Sequence, residues 1–330
     1  YSCGQTFIED CGFSEPTHIS FAESKLINKD YISLTDLARY KNPNEPSDVI
    51  KKWLSNFDND EEKEAALYLL SKLLYFNSHS IRCLLKALYR DLYRYPIIET
   101  IRRANNDTLD SILIETYFQE ELERTRFLGV GNPAESGVHL LYYFRQENKI
   151  PKDLFINTDD IIEYNDEGKC QLREAYKDVK HYVFIDDLCG SGKQATSNDS
   201  NVKRCVQHLR DIVQDAKISY FMLFGLSKGI QVIRDSGLYD QACSVVELDD
   251  SYRCFSNNSR FFEDEEQKNF SKEMAYKHGS KLINSVNALG FGDCQLLLSM
   301  HHNTPDNTLP IIWYDDVNWK PIFKRYNKIY

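Results

Sequence analysis

The chain has 330 residues, 42% of them hydrophobic, and a formal net charge of −10. That is apolar material for one large or two modest domains, and the negative balance excludes a protein that coats nucleic acid over its whole surface, while leaving room for a small basic module. No apolar run approaches the ~20 residues that span a bilayer, and nine cysteines, odd in number and without a C-x-x-C pair, fit reduced thiols rather than a disulfide framework or a zinc site. The sequence begins at Tyr1 rather than Met, so a start further upstream is expected; no basic-then-apolar secretory signal is visible.

Residues 1–25 show no clear period. From Tyr31 to Trp53 the chain reads YISLTDLARYKNPNEPSDVIKKW. Thr35 caps a short helix through Tyr40, Asn42 to Pro46 make a turn, and Ser47 caps a second helix from Asp48. This stretch resembles the start of KilA-N domains, which implies DNA contact. The competing reading is a helical hairpin packed on the core, with Lys41, Lys51 and Lys52 solvated. Asn59 and Glu62 form a capping box, and Ala66, Leu67, Leu70, Leu73 and Leu74 recur at helical spacing across 59–76. Ile81, Leu84, Leu85, Leu88 and Leu92 make a second such face, which Pro96 is expected to end or to follow soon after its end. Asp107 to Arg124 reads as a third helix with Leu109, Ile112, Leu113, Tyr117 and Leu122 as its apolar positions.

The pattern changes at Arg126. Phe127 to Val130 is a short apolar run that leads into a loop, Gly129 to Gly137, and a helix, Val138 to Gln146. A strand and a loop are expected within 153–163. The apolar run Tyr182 to Ile185 suits a buried parallel strand. Val202, Cys205, Val206, Leu209, Ile212 and Val213 mark a helix. Lys217 to Leu226 is a strand, Gly229 to Ser236 a helix stopped by Gly237, and Cys243 to Leu248 another strand. Strands alternating with helices imply a parallel sheet. Ser251 to Glu266 reads as a surface loop, Lys268 to Leu289 as a helix interrupted by Gly279, and Gln295 to Met300 as a last apolar strand. The expected fold is α/β, a parallel sheet flanked by helices, with a helical N-terminal region. The expected organisation is 1–53, a helical lead-in 54–125, and an α/β domain 126–330.

The chemistry concentrates in HYVFIDDLCGSGKQA, His181 to Ala195. Gly-Ser-Gly-Lys invites comparison with the phosphate loop G-x-x-x-x-G-K-[ST]. The spacing fails: Asp187 stands where the first glycine belongs, and Gln194 where the metal-binding hydroxyl belongs. Two carboxylates before a small-residue turn suit another ligand. Carboxylates accept hydrogen bonds from sugar hydroxyls, and backbone N–H groups at a helix start bind phosphate. A ribose carrying a 5-phosphate satisfies both halves.

These residues resemble the ribose-phosphate signature of type I phosphoribosyltransferases. Asp186 and Asp187 match its acidic pair, and Ser191 and Gly192 its loop; Cys189, Gly190 and Gln194 depart from it. The resemblance implies that Asp186 and Asp187 hold the ribose hydroxyls as the catalytic pair, and that Gly190, Ser191, Gly192, Lys193 and Gln194 hold the 5-phosphate. It places a pyrophosphate at the earlier loop, through Gly129, Gly131, Asn132, Ser136 and Gly137. That loop contains no Lys or Arg, and an ordinary strand–helix turn is the alternative there. Mg2+ is expected to arrive with the ligand's diphosphate; no protein metal ligand is assigned.

The order of the Gly129 loop, VFIDDLCGSGKQA and LGFGDCQLLLSMHHNTPDNTLPIIW resembles the phosphoribosyltransferase-like domain of bacterial conflict systems, the PRTase-CE group, over about Trp53 to Tyr330. His302 to Trp313 is the most distinctive part. Asx and ST turns with Pro305 and Pro310 predict a rigid loop there, near the sheet's carboxyl ends. His301 and His302 lack the spaced third ligand that zinc needs. The reduced thiols fit a cytoplasmic protein; the resemblance implies an association with anti-phage defence and does not settle a substrate, so a phosphoribosyl or nucleotide small molecule is the expected ligand and a defence-system protein the expected partner. The leading expectation is a phosphoribosyl-binding protein that transfers the ribosyl group. A non-catalytic nucleotide sensor on the same fold and a DNA-binding protein acting weakly through 31–53 are the alternatives, and no membrane partner is expected.

Overall fold

The structure, a computed structural model, describes residues 46–131, 136–164, 170–213 and 215–325. Most of the KilA-N-like stretch, 31–45, lies outside the described residues. Along the chain the elements are α1 (Pro46–Leu54), α2 (Asp60–Ser71), β1 (Leu74–Phe76), α3 (Ser78–Ala87), a π-helix (Leu88–Arg94), α4 (Tyr95–Ala104), α5 (Ser111–Glu123), β2 (Thr125–Gly129), α6 (Ser136–Asn148), β3 (Ile162–Tyr164), β4 (Cys170–Leu172), β5 (His181–Cys189), α7 (Lys193–Thr196), α8 (Asn201–Ile212), β6 (Lys217–Leu226), α9 (Ser227–Asp235), β7 (Gln241–Leu248), α10 (Glu265–Leu282), β8 (Leu298–Met300) and α11 (Pro310–Trp313). They form two compact units. One takes the chain up to Ile81 and again from Asp249; the other is Arg82–Leu248. This division cuts across the linear one of 1–53, 54–125 and 126–330.

The Arg82–Leu248 unit carries a four-stranded sheet in the order β2-β5-β6-β7, parallel throughout. Its central strands are buried almost end to end, which is why they read as continuous apolar runs. Val202, Val206 and Leu209 of α8 and Ile230 and Ile233 of α9 share one core with Tyr182, Phe184, Tyr220 and Met222 of the sheet. On the other face Phe127 of β2 meets Tyr93 of the π-helix (ring centroids 5.1 Å apart) and Phe144 of α6 (5.4 Å). The fold is therefore α/β, a parallel sheet flanked by helices, as the alternation implies.

Several local expectations give way. Pro96 does not end the helical run, because α4 follows the π-helix directly. Tyr95 N–H donates to Arg90 O, one residue further back than in an α-helix, and this wider turn relieves the clash that a proline ring makes with the carbonyl four residues before it. In α5 the expected apolar face is largely outside: Leu109 is 80% and Ile112 78% exposed, while Phe118 and Leu122 are buried. Asp110 caps the helix by accepting from the N–H groups of Ile112 and Leu113, so Leu109 falls before it. Within 153–157 a short 3-10 turn, Lys152–Leu154, precedes a single bridge at Phe155.

The other unit centres on Trp53, Phe57, Leu69, Leu70, Ile311, Ile312 and Phe323. Trp53 Nε1 donates to Ile311 O at 2.7 Å across 258 residues of sequence. The apolar strand expected at 295–300 is β8; it pairs with β1 and not with the four-stranded sheet. The segment 251–266 is not a surface loop, because Cys254, Phe255 and Phe261 are buried and Cys254 N–H donates to Gln295 O. The helix expected through Leu289 stops at Leu282. A Cβ on Gly279 would lie 2.0 Å from Ala288 O, so the glycine lets the returning chain cross the helix closely. The 301–308 segment is tied to β8: Ser299 and Thr304 hydroxyls pair at 2.8 Å, and Thr308 Oγ1 donates to Leu298 O.

Between α2 and α10, Lys277 Nζ donates to Asp58 Oδ2 and to Glu62 Oε1, each at 2.6 Å, and His278 Nε2 donates to Glu62 Oε2 at 2.8 Å. Asp58, Glu62 and His278 have metal-ligand chemistry, but the Lys277 ammonium already supplies the cation. Burial pushes the Glu62 carboxyl up; the hydrogen bonds from Lys277, His278 and the Asp58 N–H outweigh it and hold the group at about 2. A carboxyl depressed in the folded state lends stability above its unfolded value near 4.5, and that stability is lost as pH falls through about 2. Glu62→Gln should cost about 2 kcal/mol at pH 7, and the gap to wild type should close in acid. Thermal melts of both proteins from pH 7 down to 2 check this; a gap that does not depend on pH would sink it.

Candidate ligand site

The site lies at the carboxyl end of β5, the place where open parallel sheets receive ligands. β5 runs on through Cys189, so both carboxylates sit within the strand and not at its end. Successive strand residues face opposite sides. Asp186 follows Tyr182 and Phe184 onto the α8–α9 face, where it is 3% exposed; Asp187 takes the other face and is 9% exposed.

An acid survives inside this strand because its oxygens are satisfied. Tyr220 hydroxyl donates to Asp186 Oδ2 at 2.6 Å, and Asp187 N–H donates to Asp186 Oδ1 at 2.9 Å. Leu188 N–H donates to Asp187 Oδ1 at 2.8 Å. Burial, and then the neighbouring charge of Asp187, push the Asp186 carboxyl well above the usual carboxylate range. Burial and the Asp186 charge push the Tyr220 hydroxyl up as well. The Asp186 proton is therefore held more tightly than that of an ordinary carboxyl, because burial and an adjacent carboxyl both penalise its charge.

The two loops meet this pair at different heights. Gly129, the last residue of β2, is in register with Ile185, and Val130 N–H donates to Ile185 O. Val130 and Gly131 are thus level with Asp186 and Asp187. Gly131 has φ +99°, a left-handed conformation that glycine adopts without strain, and turns the chain away there. Gly190 lies three residues beyond Asp187, ~10 Å further along the strand direction. Asn132 lies outside the described residues. Ser136 and Gly137 open α6, so the structure brings the Gly129–Gly131 end of the first loop beside Asp187.

The second loop is built on glycine contacts. Gly192 has φ +76° and is the N-cap of α7. A Cβ there would lie 2.8 Å from Gly229 O and 3.2 Å from the Val232 side chain. A Cβ on Gly229 would lie 2.2 Å from Gly190 O. The 190–192 turn is thus pressed onto the first turn of α9. Ser191 is half-buried, with its Oγ 3.5 Å from Lys193 N; Lys193 and Gln194 are exposed at the start of α7. Ser200 hydroxyl donates to Gln194 O.

Sequence reasoning missed Tyr220, Gly229 and Tyr239. A tyrosine inside an apolar strand needs a partner for its hydroxyl, and a glycine in the first turn of a helix marks a close approach. Those signals were present at Tyr220 and Gly229.

A parallel sheet flanked by helices, with an acidic pair inside a central strand and a small-residue turn after it, is consistent with a phosphoribosyltransferase-like fold. The chain belongs to the PRTase-CE family, whose model matches residues 50–325. No curated protein matches the chain. Among the described residues no helix is long and apolar enough to cross a membrane.

Proposed function

We propose that the protein binds a phosphoribosyl compound, or a nucleotide, with Mg2+ at the carboxyl ends of β2 and β5, and transfers the ribosyl group. The observation that carries this reading is the order along β5: Asp187 level with the Gly131 turn, then the 190–192 turn three residues further on. Asp187 accepts hydrogen bonds from the ribose hydroxyls. Asp186, held by Tyr220, fixes the Asp187 backbone. The backbone of 190–194 receives the 5-phosphate, and the Gly129–Gly131 backbone faces the diphosphate. The donor chemistry fits Mg2+, which takes one or two carboxylates together with substrate phosphates; Asp187 is the carboxylate that would hold it. Bound there, the ion would neutralise the diphosphate and favour its departure. In transfer the bond from the sugar's C1 to pyrophosphate breaks, a nucleophile bonds to C1, and the sugar passes through an oxocarbenium-like state that an adjacent carboxylate stabilises, as in glycosidases.

The second reading is a nucleotide sensor that binds without turnover. The absence of Lys and Arg from Gly129 to Gly137 favours it, because a leaving diphosphate then meets only backbone and metal. Calorimetric titration with phosphoribosyl pyrophosphate and Mg2+, beside an assay for released pyrophosphate over a panel of acceptor bases, separates the two. Heat with release supports transfer, heat without release supports the sensor, and no heat sinks both. A cytoplasmic role in anti-phage defence with a partner protein belongs to the same proposal and rests on the family. DNA contact rests on the sequence of 31–53 alone.

A further inference from the structure

The loop that receives the 5-phosphate ends in a helix too short to hold itself. α7 has four residues, and one turn of helix fixes several dihedrals for very few hydrogen bonds. Its own bonds run from Ala195 N–H to Gly192 O, from Thr196 Oγ1 to Gly192 O, and from Ser197 N–H to Lys193 O. The Ala195 carbonyl lies at the end of this turn, where a helix leaves its carbonyls without internal partners. A residue 44 positions away supplies one: the Tyr239 hydroxyl donates to Ala195 O at 2.9 Å in a buried environment. Tyr239 stands between α9 and β7. Its ring meets that of Tyr220 edge-on at 5.3 Å and that of Phe184 at 6.4 Å. Tyr220 in turn holds Asp186. One buried aromatic stack therefore touches both halves of the site.

We infer that Tyr239 is a positioning residue for phosphate binding: its hydroxyl anchors α7 from beneath, so that the 190–194 backbone keeps its shape before a ligand arrives. This rests on the ribose-phosphate assignment above, but its first test does not. Tyr239→Phe removes one oxygen and keeps the ring, so the core stays filled and the melting temperature should stay close to wild type. In the ligand-free protein, amide hydrogen exchange at Ala195 and Ser197 should quicken about tenfold, the loss expected for one hydrogen bond, and exchange elsewhere in the sheet should not move. Affinity for phosphoribosyl pyrophosphate with Mg2+ should fall about tenfold, while affinity for Mg–pyrophosphate alone, which does not use α7, should hold. A general structural defect would weaken both ligands alike.

Unchanged exchange at 195–197 overturns the anchor, whatever the ligand results. Faster exchange with unchanged phosphoribosyl pyrophosphate affinity overturns the positioning role and leaves the ribose-phosphate assignment standing. Failure of the wild type to bind phosphoribosyl pyrophosphate overturns that assignment and the positioning role together, and the exchange data still report on the anchor. Equal losses for both ligands reassign Tyr239 to the core.

Discussion

Asp187→Asn should lower the affinity for phosphoribosyl pyrophosphate and Mg2+ ten- to a hundredfold, whereas Asp186→Asn should chiefly raise stability. The two residues are neighbours of one type, so the contrast comes from environment alone. Asp187 is the carboxylate assigned to the ribose hydroxyls, and each charge-assisted hydrogen bond that its amide replacement weakens is worth ~1.5–3 kcal/mol. At ~1.4 kcal/mol per decade of affinity this gives the stated range. Asp186 is buried, and its folded-state carboxyl is pushed up by burial and then by the Asp187 charge. Its proton stabilises the fold fully below the unfolded value, ~3.9, and that contribution is lost as pH rises through the folded value. An amide has nothing to lose. The stability advantage of Asp186→Asn should therefore be small near pH 4 and grow by up to ~1.4 kcal/mol per pH unit above it, until the wild-type carboxyl ionises. Calorimetric titration of both variants and paired melts from pH 4 to 9 read the two effects. Equal binding losses with a flat stability difference would show that the pair acts as two like carboxylates.

Gly229→Ala should destabilise the protein by ~3 kcal/mol, the upper end for forcing an atom into a packed site. The added Cβ would sit 2.2 Å from Gly190 O and 2.9 Å from Gly190 C. Both atoms are backbone, which has no rotamer to give way. Relief must come from shifting the 190–192 turn or the start of α9, so ligand affinity should fall in the same variant. Gly237→Ala is the control. Gly237, unlike Gly229, has positive φ, and no atom lies within 4 Å of its Cβ position, so only the conformational penalty of ~1 kcal/mol applies there. Denaturant unfolding of the two variants gives the comparison, and a loss at Gly229 no larger than that at Gly237 would mean that the close approach costs little.

The parallel sheet was legible because its strands are buried on both faces and carry that fact in an unbroken apolar run. The length of β5 was not. Asp186 and Asp187 look like the end of a strand, and only Tyr220, contributed by the next strand, lets an acid continue it. The last strand was legible as a strand but not in its partner. A three-residue run such as Leu298–Met300 carries no mark of which edge it pairs with, and its true partner, Leu74–Phe76, was absorbed into a helical face that counted Leu73 and Leu74. Periodicity reports faces; it does not report neighbours. In α5 it misreported part of the face: Leu109 precedes the helix that Asp110 caps and Ile112 is exposed, while Phe118 and Leu122 turn inward. The acidic pair and the glycine turn were legible as chemistry. The Tyr220 hydroxyl that holds Asp186 and the reliance of the turn on Gly229 and Tyr239 were not, since both depend on residues about 34 to 50 positions away that only the fold brings close.

The division of the chain at Ile81 and Asp249 has a consequence for synthesis. The Arg82–Leu248 unit is continuous and leaves the ribosome whole, so it can fold as it emerges. The other unit, which is discontinuous in sequence, cannot, since Trp53, Leu69 and Leu70 pack with Ile311, Ile312 and Phe323. At about 5–20 residues per second, the first half of that core waits roughly ten to fifty seconds for the second. For that interval the nascent chain carries an amphipathic helix pair with its apolar side open and a three-residue strand, Leu74–Phe76, without its mate. Chaperone supply and elongation rate, more than equilibrium stability, should then govern how much of this protein a cell recovers in soluble form.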